Sequence, residues 1–144
     1  MQYDHWSRGQ LSRSPLGANW ETISMKKKIQ KPRLDFIEFP AKSIGDLLKT
    51  KSFYSSVFNW SYKDWGDDYS DTKDSGLGSG LNADPSYKSK FPLAVIYVDK
   101  IEVSRDAIVS AGGKITREIF SFPGGRRFHF LDPTGNELAV WSDK

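Results

Sequence analysis

The succession strand, helix, three strands occurs twice along this chain, at a spacing of roughly fifty residues, and that duplication restricts the fold more than any other feature. In the first copy, residues 34–39 form a short β-like run that Pro40 ends. Asp46 is placed to cap a helix whose apolar residues Leu47, Leu48, Phe53, Tyr54, Val57 and Phe58 make a broad stripe. Phe53 and Phe58 are expected to cover one face of a sheet. Residues 60–65, 69–72 and 78–83 read as short strands separated by Gly and Asp turns. A polar connector follows, and then the pattern restarts. Residues 93–98 are a continuous apolar run suited to a buried strand. Asp99 or Lys100 opens a helix with Val103, Ala107, Ile108 and Ala111 on one face, and Gly112-Gly113 closes it. Residues 114–122, 127–131 and 137–141 complete the second set of strands, with Pro123-Gly124-Gly125 and Asp132-Pro133-Thr134-Gly135-Asn136 as turns. Two copies predict a duplicated module closing one sheet, not a solenoid.

The other segments read differently. Residues 1–24 show neither a helical nor an alternating apolar period and are rich in Ser, Gly, Arg and Asn. They are expected to be a mostly disordered leader or extension, since Met25 with the lysine block after it looks like a start. His5 lies there and receives no functional weight. Residues 25–33 are a basic lead-in, and residues 34–144 read as a single domain, as 144 residues allow.

A sequence pI of about 9.0 suggests nucleic acid at first sight. The charge is local, however. Lys26, Lys27, Lys28, Lys31 and Arg33 stand together without an acid, whereas residues 34–144 carry 14 basic and 16 acidic side chains. A phosphate-binding surface needs its charge on the folded face, so nucleic acid is not the expected partner. Nor is a membrane, because no apolar run approaches the roughly 18 residues of a span. With no cysteine, disulfides, thiol catalysis and thiolate metal sites are excluded, and a cytoplasmic location is compatible.

Three stretches carry a family likeness: Asp46-Leu47 through Phe53-Tyr54 to Val57-Phe58-Asn59-Trp60, then Ala111-Gly112-Gly113-Lys114, then Phe130-Leu131-Asp132-Pro133-Thr134-Gly135-Asn136-Glu137-Leu138. In this order they resemble the vicinal-oxygen-chelate superfamily of glyoxalases, bleomycin-resistance proteins and extradiol dioxygenases. Pro-Gly-Gly-Arg-Arg-Phe-His-Phe at 123–130 is similar to a bacterial glyoxalase-like branch. The resemblance implies an α+β fold of two tandem βαβββ modules, about 34–84 and 91–142, forming a cupped mixed sheet with helices outside. It also implies a homodimer. It does not fix the chemistry, since the fold hosts many reactions and plain binding proteins.

Metal-dependent members of that superfamily place His, Gln or Glu at four strand positions. The resemblance maps these onto Phe36, the 78–83 segment with Asn82 as its one donor, Leu93, and Ala139. His129 is the one histidine within residues 34–144, so no site with two imidazoles can form there. Glu137 is assigned to the face opposite Ala139. The expectation is no four-ligand metal site and no cofactor.

Polar chemistry then falls on few residues. Glu38 interrupts the first apolar strand, on the face of Phe36 and Pro40. It is either a general base of raised pKa inside the cup or a carboxylate bonded to a neighbouring Arg or to solvent. His129 shares a strand face with Arg127, opposite Phe128 and Phe130, and the pair could hold an anionic or oxygen-rich ligand or lie at a surface. Among the aromatics, which are 14% of the chain, Phe36, Trp60, Tyr69, Tyr97 and Trp141 are the candidates to stack a flat ligand. Gly76-Leu77-Gly78-Ser79-Gly80 lacks the Lys-Ser/Thr ending of a phosphate loop and reads as a glycine-rich strand edge. The acidic cluster around Asp64, Asp67, Asp68, Asp71 and Asp74 lacks EF-hand spacing. Two functions stay open: a small-molecule-binding protein sequestering an aromatic or oxygen-rich compound, or a lyase, isomerase or dioxygenase-type enzyme using Glu38 and His129 or an atypical metal site.

Overall fold

The computed structural model describes residues 31–144. The expectations for residues 1–24, and for most of the basic lead-in, lie outside the described residues. The first module runs β1 (Arg33–Pro40), α1 (Ile44–Phe58), β2 (Lys63–Asp64), β3 (Tyr69–Thr72) and β4 (Gly78–Asn82). The second runs β5 (Leu93–Tyr97), α2 (Ile101–Ser110), β6 (Lys114–Phe122), β7 (Gly125–Leu131) and β8 (Glu137–Ser142). Eight strands join one mixed sheet in the order β2-β3-β4-β1-β5-β8-β7-β6. Each module supplies four contiguous strands with one parallel pair, β1–β4 or β5–β8, and the antiparallel β1–β5 pair joins them. The chain adopts the α+β architecture of two tandem βαβββ modules.

Strand alternation sorts the side chains onto two faces. Phe128, Phe130 and Val140 pack with Val98 and Ile101 under α2, while Leu81, Ala41 and Ala83 pack with Leu47 under α1. On the other face Leu93, Val95 and Ala139 form an apolar floor, with Phe36 and Trp141 against it. The sheet curls around that floor. Glu38 on β1 reaches Arg127 on β7 although β5 and β8 lie between them. Among the described residues no helix is long and apolar enough to cross a membrane.

Local signals account for most boundaries. Ser43 rather than Asp46 is the N-cap of α1: its Oγ accepts from the Asp46 N–H at 3.1 Å, and Asp46 lies in the first turn, where its charge suits the helix dipole. Gly112, at φ +97°, ends α2, and the Gly113 N–H returns to the Ile108 carbonyl. In the Asp132–Asn136 loop, Asp132 accepts from the backbone N–H groups of Thr134 and Asn136, and Gly135 takes φ +93°.

Three further expectations fail. Phe53 and Phe58 do not cover the sheet; they are 58% and 54% exposed, and Leu47 is the one fully buried residue of α1. Leu47 and the half-buried Tyr54 are seven residues apart and share a face, and each step along a helix turns about 100°, so Phe53 swings away. In α2 the sheet is met by Ile101 and Ile108, while Val103 is exposed. Residues 60–65 pair only at Lys63–Asp64, because the Trp60 ring is held by Tyr54 and Phe58 of α1.

Candidate functional site in the cup

Glu38 lies in the middle of β1 and is 1% exposed. Its two carboxylate oxygens are both engaged: Asn82 Nδ2 donates to Oε1 at 2.7 Å and Arg127 Nη1 donates to Oε2 at 2.9 Å. A buried carboxylate without such partners would be neutralised. Of the two readings for Glu38, the structure therefore realises the ion-paired one, with Arg127 as the partner.

Next to it the β4 glycines make room for aromatic rings. A Cβ on Gly80 would stand 2.6 Å from the Tyr69 hydroxyl oxygen and 2.9 Å from the tip of the Phe36 ring. Gly78 is likewise close to Phe36, at 3.0 Å. The Gly76–Gly80 run is thus no strand edge. β4 is an interior strand between β3 and β1, and its glycines let two rings lie flat over it. Burial, then the charge of Glu38, pushes the Tyr69 hydroxyl well above its ordinary pKa, so it remains a neutral donor.

His129 and Arg127 occupy one face of β7, opposite Ala139 and Trp141 of β8. His129 is 4% exposed. Burial first, and then the positive charges of Arg127 and Arg117, push its pKa down to about 3, which keeps the imidazole uncharged at neutral pH. Its Nε2 and the Arg127 Nε are both buried and have no hydrogen-bond partner among the described residues.

Arg117 and Phe120 reach the same face from β6. Arg117 pairs with His129 and Phe120 with Arg127, so three steps on β6 match two on β7, with register shifts on either side of Arg117. The Phe120 ring meets His129 edge-on at 5.9 Å and carries the Arg127 guanidinium at 5.3 Å. Against β6 runs the connector between the modules. It leaves β4, touches β6 through Tyr87, whose ring is 5.2 Å from Phe120, and returns to β5. The Arg117 guanidinium lies 4.4 Å over Tyr87 and 4.7 Å over Phe120, and its Nη1 donates to the Ser86 carbonyl. Lys88 ties the connector to the turn after β1 through the carbonyls of Ala41 and Lys42.

Of the sequence candidates, the structure gathers Phe36, Glu38, Tyr69, Arg127 and His129 on the cup face. Among the described residues no hydrogen bond joins Glu38 to His129; Arg127 acts on both. Trp141 and Tyr97 lie on the same face toward its far end, edge to face at 5.1 Å. Their polar tips are engaged, Trp141 Nε1 with Asp35 and the Tyr97 hydroxyl with Asp143. Trp60 is not in the cup. With Tyr54, Ile37, Phe39 and Leu77 it lines a cavity of about 210 Å³ on the helix side. Glu137 is corrected too: strand pairing puts it two residues from Ala139 and on the same face, with its carboxylate accepting from Thr116. Sequence reasoning passed over Gly80, Arg117, Phe120 and Tyr87. Period-two reading from Phe36 and Glu38 cannot locate Gly80 without the strand register, and the β6 irregularities hide Phe120.

The donor set does not fit a four-ligand ion. Phe36, Leu93 and Ala139 offer only carbon, Asn82 is bonded to Glu38, and Glu38 is already neutralised by Arg127. Among the described residues no three His, Cys, Asp or Glu side chains are grouped to hold a metal.

Similarity to known proteins follows the same lines. Residues 37–140 match the family model for the Glyoxalase/Bleomycin resistance protein/Dioxygenase superfamily. Among curated proteins none matches. Solved structures share the fold at low identity. One is described as an NAD-dependent benzaldehyde dehydrogenase from Legionella pneumophila (16% identity, TM-score 0.62, 76% of this chain and 98% of that one). Another is the Mn(II)-bound glyoxalase from Novosphingobium aromaticivorans (22%, 0.57, 78% and 40%). A third is methylmalonyl-CoA epimerase from Mycobacterium tuberculosis (13%, 0.55, 76% and 86%). With a match spanning most of the domain and the paired-module sheet beneath it, the chain belongs to the Glyoxalase/Bleomycin resistance protein/Dioxygenase superfamily.

Proposed function

We propose that this protein binds a small organic molecule in its cup, without a four-ligand metal centre, and that it acts by sequestration. One observation carries the reading: two buried nitrogens, Arg127 Nε and His129 Nε2, lack partners among the described residues on a face lined by Phe36, Tyr69 and Phe120. Each such group left unpaired costs about 1–3 kcal/mol, and a ligand supplying acceptors would recover that cost. The acid–base alternative on Glu38 and His129 is weaker. A base of pKa about 3 is poorly matched to neutral pH, and both oxygens of Glu38 are engaged.

The test has two arms. Purified protein is assayed for bound metal, alone and after incubation with zinc, nickel, manganese or iron; stoichiometric tight metal would overturn the proposal. A thermal-shift screen of flat aromatic and oxygen-rich compounds should then yield saturable stabilisation, about 2.7 kcal/mol at a hundredfold excess over Kd. The H129A variant should lose it.

A further inference from the structure

The charges around the cup are not mixed evenly. Glu38 and Asp71 bear on Tyr69 at the β3–β4 end, together with Arg127. At the β6–β7 end the charged groups bearing on His129 are Arg127 and Arg117, both positive. Arg117 has no ion pair among the described residues; it is held by the Ser86 carbonyl and by two rings. Glu38 and Asp71 thus lie beside Tyr69 and two guanidinium groups bear on His129, with the Glu137 carboxylate further along the same face on Thr116.

The orphan atoms sit at the positive end. Arg127 Nε–H is a donor and never an acceptor, so an acceptor alone can satisfy it. His129 is uncharged there and, as the Nε2–H tautomer, offers a second donor from two residues further along the same strand face. Glu38 does not serve these atoms, because its oxygens are taken by Arg127 Nη1 and Asn82. A pair of buried donors in a positive field, with low-dielectric walls, selects an oxygen anion.

Resting on the binding function proposed above, we infer that the cup's ligand is an aromatic compound bearing one carboxylate, its oxygens on Arg127 Nε and His129 Nε2 and its ring among Phe36, Tyr69 and Phe120. A single carboxylate follows from the donors: two N–H groups, Arg127 Nε and His129 Nε2, take two oxygens, while Glu38 already offsets Arg127 and Glu137 adds a carboxylate to the same face. The ring follows from the aromatic lining, Phe36 and Tyr69 over β4 and Phe120 against His129 and Arg127. Both nitrogens are sealed from solvent, and Phe120, which touches Tyr87 of the connector, lies against both side chains.

Calorimetry on the full chain, with benzoate, salicylate and phenylpyruvate against the neutral benzamide, salicylamide and benzyl alcohol, tests this directly. The carboxylates should bind at least tenfold more tightly than their neutral counterparts, and R127Q should abolish the difference. Because R127Q leaves Glu38 without its partner, the side-chain Nε–H resonance of Arg127 is also followed in the wild-type protein, where carboxylates should shift it and neutral compounds should not. Equal affinity for charged and neutral members, with backbone amide shifts still centred on β1 and β7, would overturn the carboxylate inference and leave the binding function standing. If no compound of either class perturbs β1 and β7, both fall. Carboxylate binding that leaves the Arg127 resonance unmoved would also overturn the inference.

Discussion

Glu38 and Arg127, 89 residues apart in sequence, meet at 2.9 Å with side chains only 2% and 11% exposed. Their strands belong to different modules and are separated by β5 and β8, so the contact ties the two halves of the duplicated fold across the concave face. Its worth depends on which partner is removed. R127M leaves a carboxylate buried with Asn82 alone and should cost about 3–5 kcal/mol. The double variant E38Q/R127M keeps an acceptor for Asn82 without the charge and should recover most of that loss. Urea unfolding of the single and double variants measures both; equal destabilisation would show that packing, not charge, makes the difference.

His129 links the same site to pH. Its folded pKa, about 3, lies below the roughly 6.5 of an unfolded histidine. Between these values the unfolded chain binds more protons, so stability is full above about pH 6.5 and falls as pH drops toward 3. Each pH unit in that window costs up to about 1.4 kcal/mol, or about 2 kcal/mol between pH 6.5 and 5. H129Q should flatten this slope. Carboxylates such as Glu118 and Asp132, held low by hydrogen bonds to Arg105 and to Asn136, act below the ordinary carboxylate range, so urea midpoints taken between pH 5 and 7.5 isolate the histidine.

Gly80 tests the packing of the rings. G80A places a Cβ 2.6 Å from the Tyr69 hydroxyl oxygen and 2.9 Å from Phe36, contacts that force rings off their positions at a cost of about 1–3 kcal/mol. Removing the hydroxyl in G80A/Y69F should return part of it. A thermal melt in which G80A equals wild type would mean the rings have free space elsewhere in the cup.

How far the residues alone reveal this arrangement depends on the range of each interaction. Period-two alternation is local, and it placed Arg127 with His129 and Phe36 with Glu38 on common strand faces. The same rule applied correctly would have put Glu137 beside Ala139. The Glu38–Arg127 contact arises from sheet curvature between distant strands, which no periodicity encodes, so Glu38 had two readings until its partner was located. Phe120 was hidden because the β6 irregularities change the count between Arg117 and Phe120 relative to β7. Trp60 misled for another reason: an aromatic beside a helix end can pack back on the helix, and Tyr54 and Phe58 hold it there.

The connector between the modules supplies the last prediction. Its hold on β6 consists of the Tyr87–Phe120 ring contact, the Arg117 guanidinium over both rings, and the Arg117 bond to Ser86. Tyr87 is 39% exposed, so these contacts are part-solvated and each is worth about 0.5–1 kcal/mol. Losing them should free the connector without unfolding the sheet, whose cores lie on the other face and on the floor. In Y87A/R117A, amide exchange across residues 84–92 should therefore quicken by about tenfold or more, the factor that roughly 1.4 kcal/mol of lost local stability gives, while protection of β7 and β8 stays as in wild type. Ligand association should quicken with it, since Arg127 and His129 lie beneath Phe120. Faster exchange confined to the connector, with unchanged association, would place the entrance away from Tyr87.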